Sequence, residues 1–247
     1  MARVTTYVPE STIRNGKPEP LQDGWSANPG EPETTEFAAD PWFYEKRARE
    51  QGYTRIAGVD EAGRGPLAGP VVAAAVILPE DFDCCGIRDS KAMRPGEREV
   101  AFDRVMDEAI AVGIGAVGPE VIDEMNILRA AHRAMKAALD NLNAPFDFIL
   151  VDGLPVAGLP TGSLAVVRGD CKSASIMAAS IVAKVTRDRI MVELDRIYPG
   201  YGFAVHKGYC TRDHLAAIDR LGPCACHRKS FAPVAERIAA CRLPGLE

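Results

Sequence analysis

From residue 55 onward, short β-branched apolar runs alternate with longer segments of helical periodicity. Arg55–Val59 and Pro70–Leu78 predict two strands joined by a glycine-rich turn. Residues 95–110 predict a helix and Ile110–Val117 a third strand, while Pro119–Leu142 reads as helical with a break near Asn126. Phe146–Val151 and Leu164–Val167 are further short strands. After Lys172 a long helix is expected to run to about Ile197, its Ala, Ile and Val positions too continuous for a solvent-facing stripe. Thr211–Leu221 and Pro233–Ala240 predict a helical C-terminal portion, and Trp42-Phe43-Tyr44 opens a short amphipathic helix ahead of the first strand. Early strands at hairpin-like spacing, followed by helical crossovers, imply an α/β fold built on a mixed sheet with helices on both faces.

Residues 1–40 break this pattern. They contain Pro9, Pro18, Pro20, Pro29 and Pro32, little apolar periodicity, and three Lys/Arg against seven Asp/Glu. Such a composition cannot repay the entropy of ordering, so an acidic, flexible tail is expected ahead of a domain spanning residues 41–247, with a helical C-terminal region from about residue 190. The tail accounts for most of the formal net charge of -5, since the remaining 207 residues carry 26 basic against 27 acidic side chains. From Arg187 to the end there are ten Lys/Arg against seven Asp/Glu, with His206, His214 and His227. That excess is either ordinary solvated surface or a face that tracks phosphate. No stretch has the length of a membrane span, the N-terminus lacks a secretory core, and seven cysteines do not suggest a disulfide framework. A cytoplasmic monomer with reduced thiols is expected.

The chemistry concentrates in a few places. Residues 56–70 carry an apolar strand into Asp60-Glu61, then the loop Gly63-Arg64-Gly65. Hard divalent cations take carboxylate oxygens, and glycines let a backbone approach phosphate or sugar closely. Asp152 ends a predicted strand and Asp170 follows another at a helix start, so these four acids would meet at one end of the sheet. Singly, Asp152 could be a turn residue and Asp170 a helix cap. Adjacent Asp60 and Glu61 repel one another unless a cation or strong donors lie between them. Asp188, flanked by Arg187 and Arg189, competes with Asp170 for the fourth place, although a surface ion pair suits it better. Lys91, Lys172, Lys184, Lys207 and Arg64 are candidate phosphate contacts; Ser173 and Ser175 could donate to phosphate or cap the helix. Cys210, His214, Cys224, Cys226 and His227 could ligate zinc, although two-residue gaps between cysteines are the commoner pattern.

Several blocks in order extend the resemblance beyond any single motif: Asp60-Glu61-Ala62-Gly63-Arg64-Gly65, Asp89-Ser90-Lys91, Val151-Asp152-Gly153, Gly169-Asp170 with Lys172-Ser173, Ala178 to Asp188, Tyr198-Pro199 and His206-Lys207-Gly208-Tyr209. Over roughly residues 54–235 the chain resembles the type 2 ribonuclease H family. The resemblance implies a ribonuclease H-like fold, a five-stranded mixed sheet with a C-terminal helical extension. It implies that Asp60, Glu61, Asp152 and Asp170 hold two Mg2+ or Mn2+ ions. Gly63, Arg64, Gly65 and Tyr209 would read a ribonucleotide followed by a deoxyribonucleotide, with Lys91, Ser173 and Lys207 contacting substrate. The implied substrates are RNA-DNA hybrids and duplex DNA containing single ribonucleotides, cut to 3′-hydroxyl and 5′-phosphate ends. The competing readings are a type 3 enzyme without junction preference and a non-catalytic nucleic-acid-binding module. The first is disfavoured by the Arg64 loop with Tyr209, the second by intact acids at all four positions.

Overall fold

The computed structural model describes residues 40–87 and 90–241. The tail reading of residues 1–40 therefore lies outside the described residues, Asp40 excepted, as do Asp89 and residues 242–247. Strand β1 (Ile56–Ala62) is central, antiparallel to β2 (Val71–Ile77) and parallel to β4 (Phe148–Asp152). Strand β3 (Ala111–Val117) lies antiparallel outside β2, and β5 (Gly162–Val166) parallel outside β4, giving the order β3-β2-β1-β4-β5. This is the five-stranded mixed sheet expected from the sequence.

Every side chain of β2, Val-Val-Ala-Ala-Ala-Val-Ile, is buried, because helices cover both faces. Val71, Ala73, Ala75 and Ile77 pack on the face of α4 (Ile127–Asp140), while Ala74 and Val76 face α2 (Pro95–Glu108) and α5 (Ala174–Ile197). The small residues set how closely the layers approach. A Cβ on Gly58 would lie 2.2 Å from the Ser175 carbonyl carbon of α5, and one on Gly113 would lie 2.1 Å from the Ala138 carbonyl oxygen of α4. Helix α1 (Phe43–Glu50) docks on the start of α5 through Glu45, whose Oε1 accepts from the Ser173 and Ser175 hydroxyls, each at 2.6 Å, and from the Ser175 amide at 2.9 Å. Burial holds the Glu45 carboxyl above its ordinary range, opposed by those hydrogen bonds. Beyond α5, helices α6 (Phe203–His206), α7 (Arg212–Leu221) and α8 (Ala232–Cys241) form the C-terminal portion, with Phe203, Tyr201 and Ala217 packed on Met191.

The sheet differs from expectation at one functional point. β1 runs past Val59 because Asp60, Glu61 and Ala62 continue the ladder opposite Ala74, Ala73 and Val72. The paired acids lie within the strand rather than beyond its tip, and their backbone is held rigidly. The break between helix α3 (Pro119–Met125) and α4 falls at Asn126, which adopts φ 72° and accepts the Arg129 amide on its side chain at 3.1 Å. The short helix α6, closed by Lys207 at φ 52°, has no counterpart in the sequence reading.

Gly58→Ala is expected to destabilise the protein by about 2–4 kcal/mol, because the added methyl meets helix backbone that cannot move aside. Gly96→Ala, in the first turn of α2 with nothing within 4 Å, should instead be neutral or stabilising by up to ~1 kcal/mol. Urea denaturation of both variants checks the contrast.

Candidate active site

Three carboxylates arrive from three segments. Val59 pairs with Val151, so one residue further along the parallel strands β1 and β4 carry Asp60 and Asp152 side by side. After β5 the chain turns through Arg168 in the left-handed region, φ 58°, into a short 3-10 turn, Gly169–Cys171. The Asp152 carboxylate holds that turn, its Oδ1 accepting the Gly169 amide at 2.7 Å and the Asp170 amide at 3.3 Å. Asp170 is thereby brought to the other two, and one oxygen from each of Asp60, Asp152 and Asp170 lies within 4.8 Å of the others. Asp60 Oδ1 accepts the Glu61 amide at 2.6 Å, and Ser180 of α5 also bonds its carboxyl. Glu61 points to Arg64, 3.2 Å away, and lies outside this triad of oxygens.

The cluster is electrostatically unrelieved by its own side chains. Burial, reinforced by the negative charges of Glu61 and Asp152, pushes the Asp60 carboxyl well above its ordinary range. Burial also raises Glu61, against the opposing pull of Arg64, and burial with the charge of Asp170 raises Asp152. The Lys91 ammonium lies 2.7 Å from Asp170 Oδ2, so a lysine expected to contact phosphate supplies positive charge to a carboxylate here. Its side chain is 71 % exposed, and an ion pair so open to water is weak enough to exchange for another partner. A donor set of oxygens alone, crowded and short of positive charge, fits a hard divalent cation.

Beside the acids lies the Gly63-Arg64-Gly65 loop. Its Gly63 and Arg64 carbonyls accept from the buried Arg228 guanidinium at 2.6 and 2.9 Å. Of the loop's backbone groups, Arg228 engages neither the Gly65 carbonyl nor any amide. Tyr209 is 45 % exposed, and a Cβ on Gly65 would come 3.9 Å from its Cε1, so the ring flanks the loop at the surface rather than filling the core. The Leu67 amide donates to the Gly208 carbonyl at 2.7 Å, joining the two loops directly.

Other expected residues fall elsewhere. Ser173 is fully buried; its hydroxyl caps α5 and donates to Glu45, so of its two sequence readings the capping one describes its position. The Lys207 ammonium donates to the Ala204 carbonyl, and its own carbonyl accepts from Arg187. Asp188 pairs with Lys184 at 2.6 Å and Arg98 at 3.4 Å, a structural ion pair away from the triad. Cys224, Cys226 and His227 converge, whereas Cys210 is exposed and outside their cluster. Ser180 and Arg228 had no assigned role in the sequence reading. The signal for Ser180 was a hydroxyl set within the apolar run Ala178-Ala179-Ser180-Ile181-Val182; for Arg228 there was none.

This architecture has close relatives. The family described as Ribonuclease HII matches residues 57–234. The chain is 51% identical over 201 residues to the Ribonuclease HII of Geobacter sulfurreducens, covering 81% of this chain and 93% of that protein. It is 55% identical over 189 residues to the Ribonuclease HII of Acetivibrio thermocellus, covering 76% and 74%. Among solved structures, the ribonuclease H2 of Pyrococcus horikoshii superposes with a TM-score of 0.65 at 28% identity, covering 77% of this chain and all of that one. A ribonuclease H-like sheet bearing converged carboxylates, and identity above one half with curated relatives along most of its length, establish that this chain belongs to the ribonuclease HII family.

Proposed function

We infer that this chain, a ribonuclease H and phosphodiester-hydrolysing endonuclease by its family, cuts the RNA strand of RNA-DNA hybrids. We propose that it also cuts at single ribonucleotides embedded in duplex DNA, leaving 3′-hydroxyl and 5′-phosphate ends, and that Asp60, Glu61, Asp152 and Asp170 serve that chemistry. The observation that carries this reading is the meeting of Asp60, Asp152 and Asp170 at the sheet end beside an exposed tyrosine and a glycine-flanked loop. Two divalent ions, Mg2+ or Mn2+, held by these acids would supply an activated water and charge stabilisation at the leaving oxygen. No helix among the described residues is long and apolar enough to cross a membrane.

The chain's own groups define what is recognised. Telling RNA from DNA requires a contact to the 2′-hydroxyl, which both donates and accepts. The Arg64 and Gly65 amides and the Gly65 carbonyl offer both functions at a place free of bulky side chains. Tyr209, flanking Gly65, packs on the next sugar, where an added hydroxyl would crowd the ring. Lys91 moves between Asp170 and a phosphate oxygen as substrate and cation enter. Residues 41–247 act as the catalytic domain, with residues 1–40 a tail outside it.

Asp170→Asn is expected to abolish cleavage, by about 10³-fold or more, while sparing duplex binding, because an amide cannot balance cationic charge. Asp188→Asn should retain activity and lose ~1 kcal/mol or so of stability with its ion pairs. Cleavage of a duplex containing one ribonucleotide, with and without Mg2+, tests both; an active Asp170→Asn would sink the assignment.

The raised Asp60 carboxyl gives a pH signature. In the metal-free protein the folded state holds that proton more tightly than the unfolded chain, so its favourable contribution exists below the ordinary carboxylate range and is lost as pH rises through the folded value. Asp60→Asn should therefore melt several degrees higher than the parent at pH 7 without metal, at about 2–4 °C per kcal/mol for a chain of this size. The difference should vanish near pH 3 and shrink when Mg2+ stabilises only the parent. Thermal melts across pH, with and without Mg2+, read this.

Tyr209→Ala should lose most cleavage at a single embedded ribonucleotide, at least ~10-fold, with less effect on a continuous hybrid, whereas Tyr209→Phe keeps most of both. Equal losses on the two substrates for Tyr209→Ala would assign the ring to general catalysis.

A further inference from the structure

The geometry points to a second metal site, formed by Cys224, Cys226 and His227 in the connection between α7 and α8, that takes a thiophilic cation, zinc(II), and braces the substrate loop. The Cys224 sulfur lies 3.2 Å from the Cys226 sulfur and 3.1 Å from His227 Nδ1. Cys226 and His227 are buried at 6 % and 1 % exposure, and Cys224 is half-buried, so the cluster has one side toward solvent.

The tautomers fall in the order a metal ligand needs. His214 Nδ1 lies 2.9 Å from the Tyr209 carbonyl oxygen, and a carbonyl only accepts, so His214 carries its proton on Nδ1 and offers a lone pair at Nε2. His227 Nε2, 3.1 Å away, donates to it. The lone pair of His227 is therefore on Nδ1, which lies 3.1 Å from the Cys224 sulfur and accepts the Cys224 amide at 3.0 Å, a hydrogen bond that metal binding would replace. An imidazole whose second nitrogen donates to an outer partner is the arrangement that orients histidine on metals.

The donors also choose the ion. Two sulfurs and one imidazole nitrogen, with no carboxylate in the cluster, select a soft or borderline cation over Mg2+ or Mn2+. Three protein ligands leave a fourth position for water on the solvent side. Binding releases the two thiol protons to solvent and changes no oxidation state. The site is joined to the substrate loop at both ends: the Gly69 amide donates to the Cys226 carbonyl at 2.8 Å, and Arg228, the residue after His227, grips the Gly63 and Arg64 carbonyls. Through His214 the same cluster supports Tyr209.

The test uses the full-length, reduced, chelator-stripped protein in excess Mg2+, which occupies oxygen sites, titrated with Co2+ and then Zn2+. One equivalent of Co2+ is expected to produce a thiolate-to-cobalt charge-transfer band that Zn2+ displaces, and Zn2+ should raise the melting temperature. Cys224→Ser and Cys226→Ser should each lose the band, while Cys210→Ser keeps it. Independently, Zn2+ should protect Cys224 of the unaltered protein from alkylation, read by peptide mass spectrometry, which holds even if a variant folds poorly. Absence of the band and of protection, or a band that survives in Cys224→Ser and Cys226→Ser, would overturn the site.

Discussion

The Gly63-Arg64-Gly65 loop is anchored chiefly through its backbone, and two buried arginines hold it and the segment that follows it. Arg187, on α5, donates to the carbonyls of Pro70 at 2.9 Å, Ala68 at 3.1 Å and Lys207 at 3.0 Å. Arg228 donates to those of Gly69 at 3.0 Å, Arg64 at 2.9 Å and Gly63 at 2.6 Å. Both are almost wholly buried, and burial, with Arg187 nearby, draws the Arg228 guanidinium down to about 9, still charged at neutral pH. A buried carbonyl left without a donor costs about 1–3 kcal/mol, so removing either guanidinium would strand several at once. The glycines leave room for the clamp. A Cβ on Gly63 would lie 2.0 Å from Arg187 Nε, and one on Gly208 would lie 2.6 Å from the Ala68 carbonyl oxygen.

The rigidity of that frame allows the acids to be held in a state they would otherwise avoid. Asp60 is fixed by the β1–β2 ladder, Asp152 ends β4, and Asp170 is tethered by its own amide to Asp152. None can swing away to relieve the repulsion without breaking strand pairing or the turn after β5. Their crowding gives up stability locally, which under the proposed function would be recovered when cations bind, a trade between activity and stability. Lys91 moderates the cost, since its ammonium shields Asp170 and its open side chain can leave.

The C-terminal portion belongs to the same logic. α7 and the turn after it do not extend the sheet; they deliver Arg228 and His214 to the underside of the two loops that meet at Gly65 and Tyr209. The imidazole chain from His227 through His214 to the Tyr209 carbonyl couples the conformation of the Cys224–His227 turn to the tyrosine.

The sequence by itself determined the strand and helix succession, because continuous apolar runs such as Val71–Ile77 and the long apolar helix before Ile197 must be covered on both faces. It also marked Asp60, Asp152 and Asp170 as acids at strand ends or turns, although taken singly Asp152 could be a turn residue and Asp170 a helix cap, and only the fold shows their oxygens meeting. Tertiary structure alone decided the partners of the polar residues. Ser173 and Lys91 both looked ready for phosphate, yet one is capped against Glu45 from 128 positions away and the other rests on Asp170 from 79 away. Arg187 and Arg228 read as ordinary basic residues until chain segments 117 and 165 positions distant close over them. Local periodicity records burial and element type, whereas a hydrogen bond to a distant backbone carbonyl leaves no trace in the identity of the residue that accepts it.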